Sequence, residues 1–304
     1  MLEHILKFPE YVSQGYSLGN DVKVKKKVDK ILVCGMGGSG ISGDILRDYV
    51  SHVPVIVNKG YDVPGFVDKK TLAVVISYSG NTEETIAAYE KIKGKTKNVF
   101  IIASGGVLGG EKNVVRVPQG FPPRYSLPFL FFSLLSVLNN SGVVKKDFDI
   151  DELVNNLKSV DKNYAKGVAN RIFSYVPLVY APEGYGSVAY RWQAQLNENG
   201  KIIAHSQVFP EHNHNEIEAY LPSHFRAVLL RDPGANERIN KRMDIVLQRL
   251  ISPEQIMLKG ASKLSKMFYG IMLGDLVSYH VALEWGFDPR KQDRIDELKK
   301  KLKE

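Results

Sequence analysis

Two short stretches concentrate residues that can hold an anion, and a third concentrates groups that can move protons. "CGMGGSGISGD" (34–44) sets five glycines and two serines between an apolar run and a helix start, and "ISYSGNTEET" (76–85) sets Ser77, Ser79 and Thr82 around Gly80. Backbone amides and small hydroxyls at helix N-termini bind phosphate. "HSQVFPEHNHNEIEAY" (205–220) carries His205, His212 and His214 among Glu211, Glu216 and Glu218. Such groups suit proton transfer near neutral pH or, alternatively, a zinc or iron site. The His-x-His spacing without an H-E-x-x-H helix leaves the metal reading indefinite.

The first loop admits several ligands. Gly35, Gly37 and Gly40 fit the G-x-G-x-x-G spacing of a dinucleotide site, but "VPVIVNKG" ends on Asn58 and Lys59 where the ribose needs an acid, and Asp62 comes too late. A mononucleotide P-loop requires a lysine that this loop lacks. A small phosphate monoester remains, beside the plain alternative of a tight strand-to-helix turn packed through glycine. In the second loop Asn81 and Glu84 have capping-box spacing, which accounts for one or two of its polar residues. Three hydroxyls and a glycine after a buried strand exceed that need, so Gly38, Ser39, Ser77, Ser79 and Thr82 are the expected phosphate contacts.

The elements that must position these loops read as alternating strands and helices. Strands are expected at "KILVCG", "VPVIVNK", "LAVVISY", "NVFIIAS" and "NVVRVP", with helices at 41–50, 82–93 and 126–140, then strands at "VPLVYAP", "IIAHSQ", "RAVLLRD" and "QIMLKGA" with helices between them. The fold class is α/β, two domains that each carry a mostly parallel sheet flanked by helices, with a cleft between them. The charged stretch "KKDFDIDEL" puts the boundary between 1–148 and 149–304.

Composition narrows the classes of function. The 304 residues, 44% hydrophobic and 24% charged, describe a globular chain long enough for two cores. The single cysteine, Cys34, excludes an internal disulfide framework, and "MLEHILKFPEYVSQG" has no signal-peptide pattern, so the cytoplasm is expected. The apolar stretch "LSKMFYGIMLGDLVSYHVALEWG" carries Lys266, Asp275, His280 and Glu284 and reads as a core helix, with no membrane partner. A net charge of +8 gathers in "KVKKKVDK" and "DELKKKLKE" without a nucleic-acid recognition motif. No nucleic-acid partner is expected, while the positive field favours an anionic small substrate.

In order along the chain, "GMGGSG", "SYSGNTEET", "PPR", "NENGK" and "PEHNHNEIEAY" resemble the archaeal and bacterial phosphoglucose/phosphomannose isomerases, whose halves are sugar isomerase (SIS) domains. The resemblance covers nearly the whole chain. It implies a homodimer that interconverts aldose and ketose 6-phosphates, a step of glycolysis and gluconeogenesis, with no metal or organic cofactor. Glu198, at the end of what is expected to be the second domain's first helix, matches the family's base. A single shielded carboxylate can take a proton from one sugar carbon and return it to its neighbour through a cis-enediol. Arg124 in "GFPPRYSLP" matches the arginine that steadies the enediolate, a task suited to a planar guanidinium. His214 corresponds to the ring-opening histidine, delivered from the other subunit, and His212 reads as structural. Lys299 matches the lysine that assists ring opening, with Lys300 and Lys301 as neighbouring candidates. Counting back from Lys299 puts Gln292 where dual-specificity members carry a small threonine, so mannose 6-phosphate is expected to react more slowly than glucose 6-phosphate. Two other classes stay open: a sugar-phosphate-binding protein without turnover, and an isomerase for another sugar phosphate.

Overall fold

The computed structural model describes residues 1–25, 27–219 and 223–302, so Lys26 of the first basic run, Tyr220 of the histidine motif and the end of the basic tail lie outside it. The chain folds as two compact units. The N-terminal unit comprises Lys7–Lys158 with Ser262–Leu264; the C-terminal unit comprises Met1–Leu6, Ser159–Ala261 and Ser265–Glu304.

After the short helix α1 (Leu2–Leu6), which belongs to the C-terminal unit, the N-terminal unit begins with α2 (Phe8–Leu18). It continues through β1 (Lys30–Cys34), α3 (Gly37–Tyr49), β2 (Val55–Asn58), β3 (Thr71–Ile76), α4 (Glu83–Lys93), β4 (Val99–Ala103), α5 (Gly106–Gly109) and β5 (Val114–Arg116), ending with α6 (Leu127–Asn140) and α7 (Ile150–Lys158). The strands are parallel in the order β2-β1-β3-β4-β5, with Val33 in register with Val57 on one side and Val74 on the other. Side chains alternate between the two faces of such a sheet. Leu32, Cys34, Ala73, Val75, Ile101 and Ala103 thus share one face with Ala88, Tyr89 and Ile92 of α4. Val33 points to the other face, where α3 approaches so closely that a Cβ on Gly43 would lie 2.9 Å from Val33 Cγ1. Helix α6 is buried on every side from Leu127 to Leu138, as its apolar sequence requires.

All five expected strands form. Helix α3 starts at Gly37, four residues ahead of the expected 41, so the glycines read as a loop make its first turn. The register demands glycine there, because a Cβ on Gly40 would stand 2.6 Å from the Gly35 carbonyl oxygen.

The C-terminal unit contains α8 (Lys162–Ile172), β6 (Val176–Pro182), α9 (Gly186–Glu198), β7 (His205–Phe209), β8 (Phe225–Arg231), α10 (Glu237–Leu247), β9 (Glu254–Met257), α11 (from Ser265 onward within Lys263–Glu284) and α12 (Asp293–Lys301). Its parallel sheet runs β7-β6-β8-β9. Leu178, Tyr180, Phe209, Ala227 and Leu229 pack on Ile239, Met243 and Val246 of α10. Two expectations change. Helix α9 is not the first helix after residue 149, because α7 and α8 precede it; Asp161 caps α8 by accepting from the Asn163 and Tyr164 amides. The strand placed at 202–207 runs instead from His205 to Phe209, since Ile202 is drawn into the end of α9 through its N–H bond to the Leu196 carbonyl.

Candidate active site

In the N-terminal unit the chain leaves β1 toward one edge of the sheet, for β2, and returns on the other side as β3. Beyond the carboxyl ends of β1 and β3 lies the crevice where open α/β sheets bind ligands, and both glycine-serine loops occupy it. Each hydroxyl there is oriented by its surroundings. The Ser39 oxygen accepts the Tyr78 N–H at 3.3 Å, Ser79 accepts the Asn81 N–H at 3.2 Å, and Ser77 accepts the Gly80 N–H at 3.1 Å while bonding Thr82 Oγ1 at 2.9 Å. A hydroxyl that accepts a backbone N–H keeps its own hydrogen to donate, and in the Ser77–Thr82 pair one of the two hydrogens is left over. Ser79 is exposed and Thr82 half-buried, so these two hydroxyls can reach an anion, whereas Ser39 is nearly buried and Ser77 is fully buried and orients Thr82. The expected capping box is absent. Thr82, not Asn81, is the N-cap of α4, its side chain makes no cap hydrogen bond, and Asn81 Oδ1 instead accepts the Val107 N–H at 3.0 Å. Gly80, at φ +71°, passes so close to the turn before α5 that a Cβ would fall 1.8 Å from the Gly105 oxygen.

Arg124 lies in the same unit, in a 3-10 turn Pro123–Tyr125 ahead of α6. It is buried, 6% exposed, and its guanidinium lies over the Tyr125 ring at 5.2 Å. The turn abuts the start of α3: a Cβ on Gly38 would sit 3.4 Å from the Pro123 oxygen. Gly38, Ser39 and Arg124 are thus brought into one neighbourhood.

In the C-terminal unit, Glu198 is the last residue of α9, and that helix is fixed against α11 along one stripe. Trp192, Gln195 and Asn199, spaced i, i+3, i+7, donate to the Gly270 oxygen (2.7 Å), the Ile271 oxygen (2.9 Å) and Ser278 Oγ (3.1 Å). Gly274 allows this approach, as a Cβ there would be 2.3 Å from Gln195 Oε1. Partly buried Glu198 opens on a cavity of about 550 Å³ that Lys201, Phe287, Lys291, Gln292 and Ile295 also line. Gln292 Nε2 donates to Glu198 Oε2 at 3.2 Å. Gln292 is also the N-cap of α12, yet it makes no side-chain cap bond; the amide turns to the carboxylate instead. The segment before it is held by Asp288, whose carboxylate takes two nitrogens of Arg290 and is pulled down to about 2 by that guanidinium.

Lys201 was not singled out from the sequence, yet its ammonium donates to both the Glu198 and the Lys291 carbonyl oxygens, joining the end of α9 to the segment that carries Gln292. The signal was its place at i+3 from Glu198 in "NENGK", just past a helix C-terminus where a cation is favoured. The histidines diverge. His205 opens β7 at the surface, and His212 is buried, stacked on Phe209 at 4.6 Å and edge-on to Tyr180 at 4.7 Å. Burial lowers the His212 pKa, with Glu216 opposing. His214 ends a 3-10 turn with its side chain exposed. Lys299 is exposed on α12, where its neighbour Lys301 pairs with Glu297 at 2.7 Å. Among the described residues no three of His, Cys, Asp and Glu converge to hold a metal ion, and no helix is long and apolar enough to cross a membrane.

The C-terminal sheet has its own crossover point, between β6 and β8, and a protein carboxylate fills it. Asp232 follows β8 and is 5% exposed; it accepts from Lys266 Nζ at 2.7 Å, from the Tyr185 hydroxyl at 2.5 Å and from the Gly234 N–H at 2.9 Å. Burial alone would raise its pKa, but the Lys266 ammonium and these hydrogen bonds outweigh it and hold Asp232 below the usual carboxylate range. The Tyr185 phenol is pushed up by burial and by the same carboxylate.

Residues 161–302 match the family described as bacterial phospho-glucose isomerase C-terminal SIS domain, and residues 25–106 match the SIS domain family. A bifunctional phosphoglucose/phosphomannose isomerase of Caldicellulosiruptor bescii is 37% identical, the match covering 100% of this chain and 99% of that protein. A D-glucosamine-6-phosphate 4-epimerase of Sulfolobus acidocaldarius is 34% identical over 67% of this chain and 68% of its own length. The C-terminal domain of a glucosamine-fructose-6-phosphate aminotransferase from Francisella tularensis superposes with a TM-score of 0.75 at 16% identity, covering 96% of this chain and 98% of that one, a likeness of fold alone. With two SIS domains of parallel α/β architecture and a relative matched from end to end, the chain belongs to the bifunctional phosphoglucose/phosphomannose isomerase family.

Proposed function

We propose that this protein interconverts glucose 6-phosphate, and more slowly mannose 6-phosphate, with fructose 6-phosphate through a cis-enediol. The observation that carries the reading is Glu198: a carboxylate at the end of a rigidly registered helix, opening on a cavity of about 550 Å³ and held there by the Gln292 amide. Glu198 takes the C2 proton of the open-chain aldose and returns it to C1. Arg124 steadies the charge that develops on the enediolate oxygens. His214 moves a proton between the ring oxygen and the C1 hydroxyl, and Lys299 assists that ring opening. The C6 phosphate is held by Gly38, Ser39, Ser77, Ser79 and Thr82, whose hydroxyls are oriented for donation. Phosphate anchoring falls to the N-terminal unit, and the base with the C-terminal helix falls to the C-terminal unit. The working form is a cytoplasmic homodimer serving glycolysis and gluconeogenesis, with no cofactor.

A second reading, an activity on another sugar phosphate, draws support from the relative named D-glucosamine-6-phosphate 4-epimerase. One coupled assay separates the two. Purified protein with chelator present is expected to convert fructose 6-phosphate to glucose 6-phosphate. No turnover of fructose 6-phosphate, with turnover of an amino-sugar phosphate, would reverse the order of the readings.

A further inference from the structure

Tyr78 stands between Ser77 and Ser79, and every polar group it carries reaches a different part of the N-terminal unit. Its N–H donates to Ser39 Oγ at 3.3 Å, tying the loop after β3 to the first turn of α3. Its carbonyl oxygen accepts both the Ser104 hydroxyl at 2.6 Å and the Ser104 N–H at 2.9 Å, tying in the loop after β4. Its phenol accepts the Phe121 N–H at 2.8 Å and donates to the Pro118 oxygen at 3.0 Å. Those two groups, three residues apart with Gly120 at φ +87° between them, are the pair that a β-turn joins directly. Here the phenol oxygen stands between them and closes the bend. The side chain is 7% exposed, so the bridge is shielded from water, and burial raises the phenol's pKa, keeping it protonated and able to donate.

The bend it closes leads straight into Pro122, Pro123 and Arg124. Two prolines fix φ and transmit the direction of the chain without slack. The guanidinium is therefore aimed from a backbone whose origin is set by Tyr78, while Phe121 supplies the packing, its ring 5.2 Å from those of Tyr11 and Phe129.

We infer that Tyr78 is a positioning residue that couples the phosphate loops to Arg124: the phenol bridge across Pro118–Phe121 fixes where the guanidinium stands relative to the hydroxyls that hold the phosphate. This deepens the isomerase reading and rests on the role given there to Arg124. Tyr78→Phe keeps the ring and every backbone bond and removes only the bridge. Turnover number, KM and the inhibition constant of inorganic phosphate are measured for wild type, Tyr78→Phe, Arg124→Ala and the double variant, with circular dichroism to verify folding. A shift of an ångström or less in a charge-stabilising group costs about 10- to 100-fold in rate. Tyr78→Phe is expected to lower kcat within that range and to change phosphate inhibition less than about twofold, because the phosphate loops keep their own bonds. In the Arg124→Ala background the same substitution is expected to have no further effect on kcat, since there is no guanidinium left to misplace. An equal fractional loss in both backgrounds, or an unchanged kcat in Tyr78→Phe, overturns the coupling and leaves the isomerase reading intact. A wild-type kcat in Arg124→Ala overturns both the coupling and the role of Arg124.

Discussion

Replacing Gly80 with alanine puts a single methyl group where the structure has no room for one, and its cost can be worked out. At φ +71° an L-residue costs roughly 1–2 kcal/mol more than glycine. The new Cβ would lie 1.8 Å from the Gly105 oxygen, and contacts under 3.0 Å are essentially never tolerated, so backbone must move by about 1 Å. Overpacking of that kind adds about 1–3 kcal/mol, giving a total near 2–5 kcal/mol. For a unit of this size each kcal/mol lowers Tm by about 2–4 °C, so 3 kcal/mol corresponds to roughly 6–12 °C. The same movement displaces Ser77 and Ser79, which precede the glycine, and on the role proposed for this loop it weakens phosphate binding. Losing one charged hydrogen bond of about 1.5–3 kcal/mol raises the phosphate inhibition constant by about tenfold or more. Scanning calorimetry and competitive inhibition by inorganic phosphate measure the two effects. Gly65→Ala is the control, because nothing lies within 4 Å of the Cβ it adds, and it should stay within about 0.5 kcal/mol of wild type. If Gly80→Ala melts within 2 °C of that control (roughly 1 kcal/mol) and keeps its phosphate inhibition, the steric reasoning is wrong.

Glu198→Gln should abolish turnover while fructose 6-phosphate still binds, whereas Ser79→Ala with Thr82→Ala should chiefly raise KM; isothermal titration of both variants tests the division, and equal loss of binding would contradict it. Gln292→Thr removes the 3.2 Å donor to Glu198 and widens the cavity, so the mannose-to-glucose activity ratio should rise while total activity falls; an unchanged ratio by parallel coupled assays removes Gln292 from specificity. His212 has a folded pKa below its unfolded value near 6.5, so the unfolded chain binds more protons and stability falls as pH drops through 6.5 toward the folded value. His212→Phe should flatten that slope between about pH 5 and 7 in urea titrations, and an undiminished slope would assign it to other groups, His280 among them.

The parallel sheets were legible because their strands are buried on both faces and read as continuous apolar runs, "KILVC" and "TLAVVI" being examples. The start of α3 was not, since glycine carries little helix propensity and only the 2.6 Å clearance at Gly40 reveals why the first turn needs it. The capping box failed for a related reason: Asn81 finds the Val107 N–H, a partner 26 residues away that local spacing cannot reveal. Helix α8 could have been found from Asp161 ahead of an amphipathic run. At the candidate site, Glu198 and Gln292 were named from motif and count, but nothing in the sequence tells that they touch, because 94 residues separate them and the contact depends on Lys201 and Asp288 holding the intervening segment. The burial of Arg124 was equally hidden, as its packing comes from α3 and from the Tyr125 ring.

The carboxylate of Asp232 gives the C-terminal sheet a resident ligand, tethered to the chain and never diluted. A carboxylate tethered in place binds at an effective concentration fixed by the chain, independent of the supply of free anion. The two halves of the molecule therefore differ in how they answer their surroundings. On the proposed reading the N-terminal unit takes its anion from solution, and its stability should then rise with ligand concentration as RT ln(1 + [L]/Kd). The C-terminal unit has already taken up its anion on folding and should melt at a temperature indifferent to phosphate. Inorganic phosphate would then act as a thermal stabiliser through the N-terminal unit, while the crossover point of the C-terminal sheet keeps its tethered carboxylate whatever the phosphate concentration.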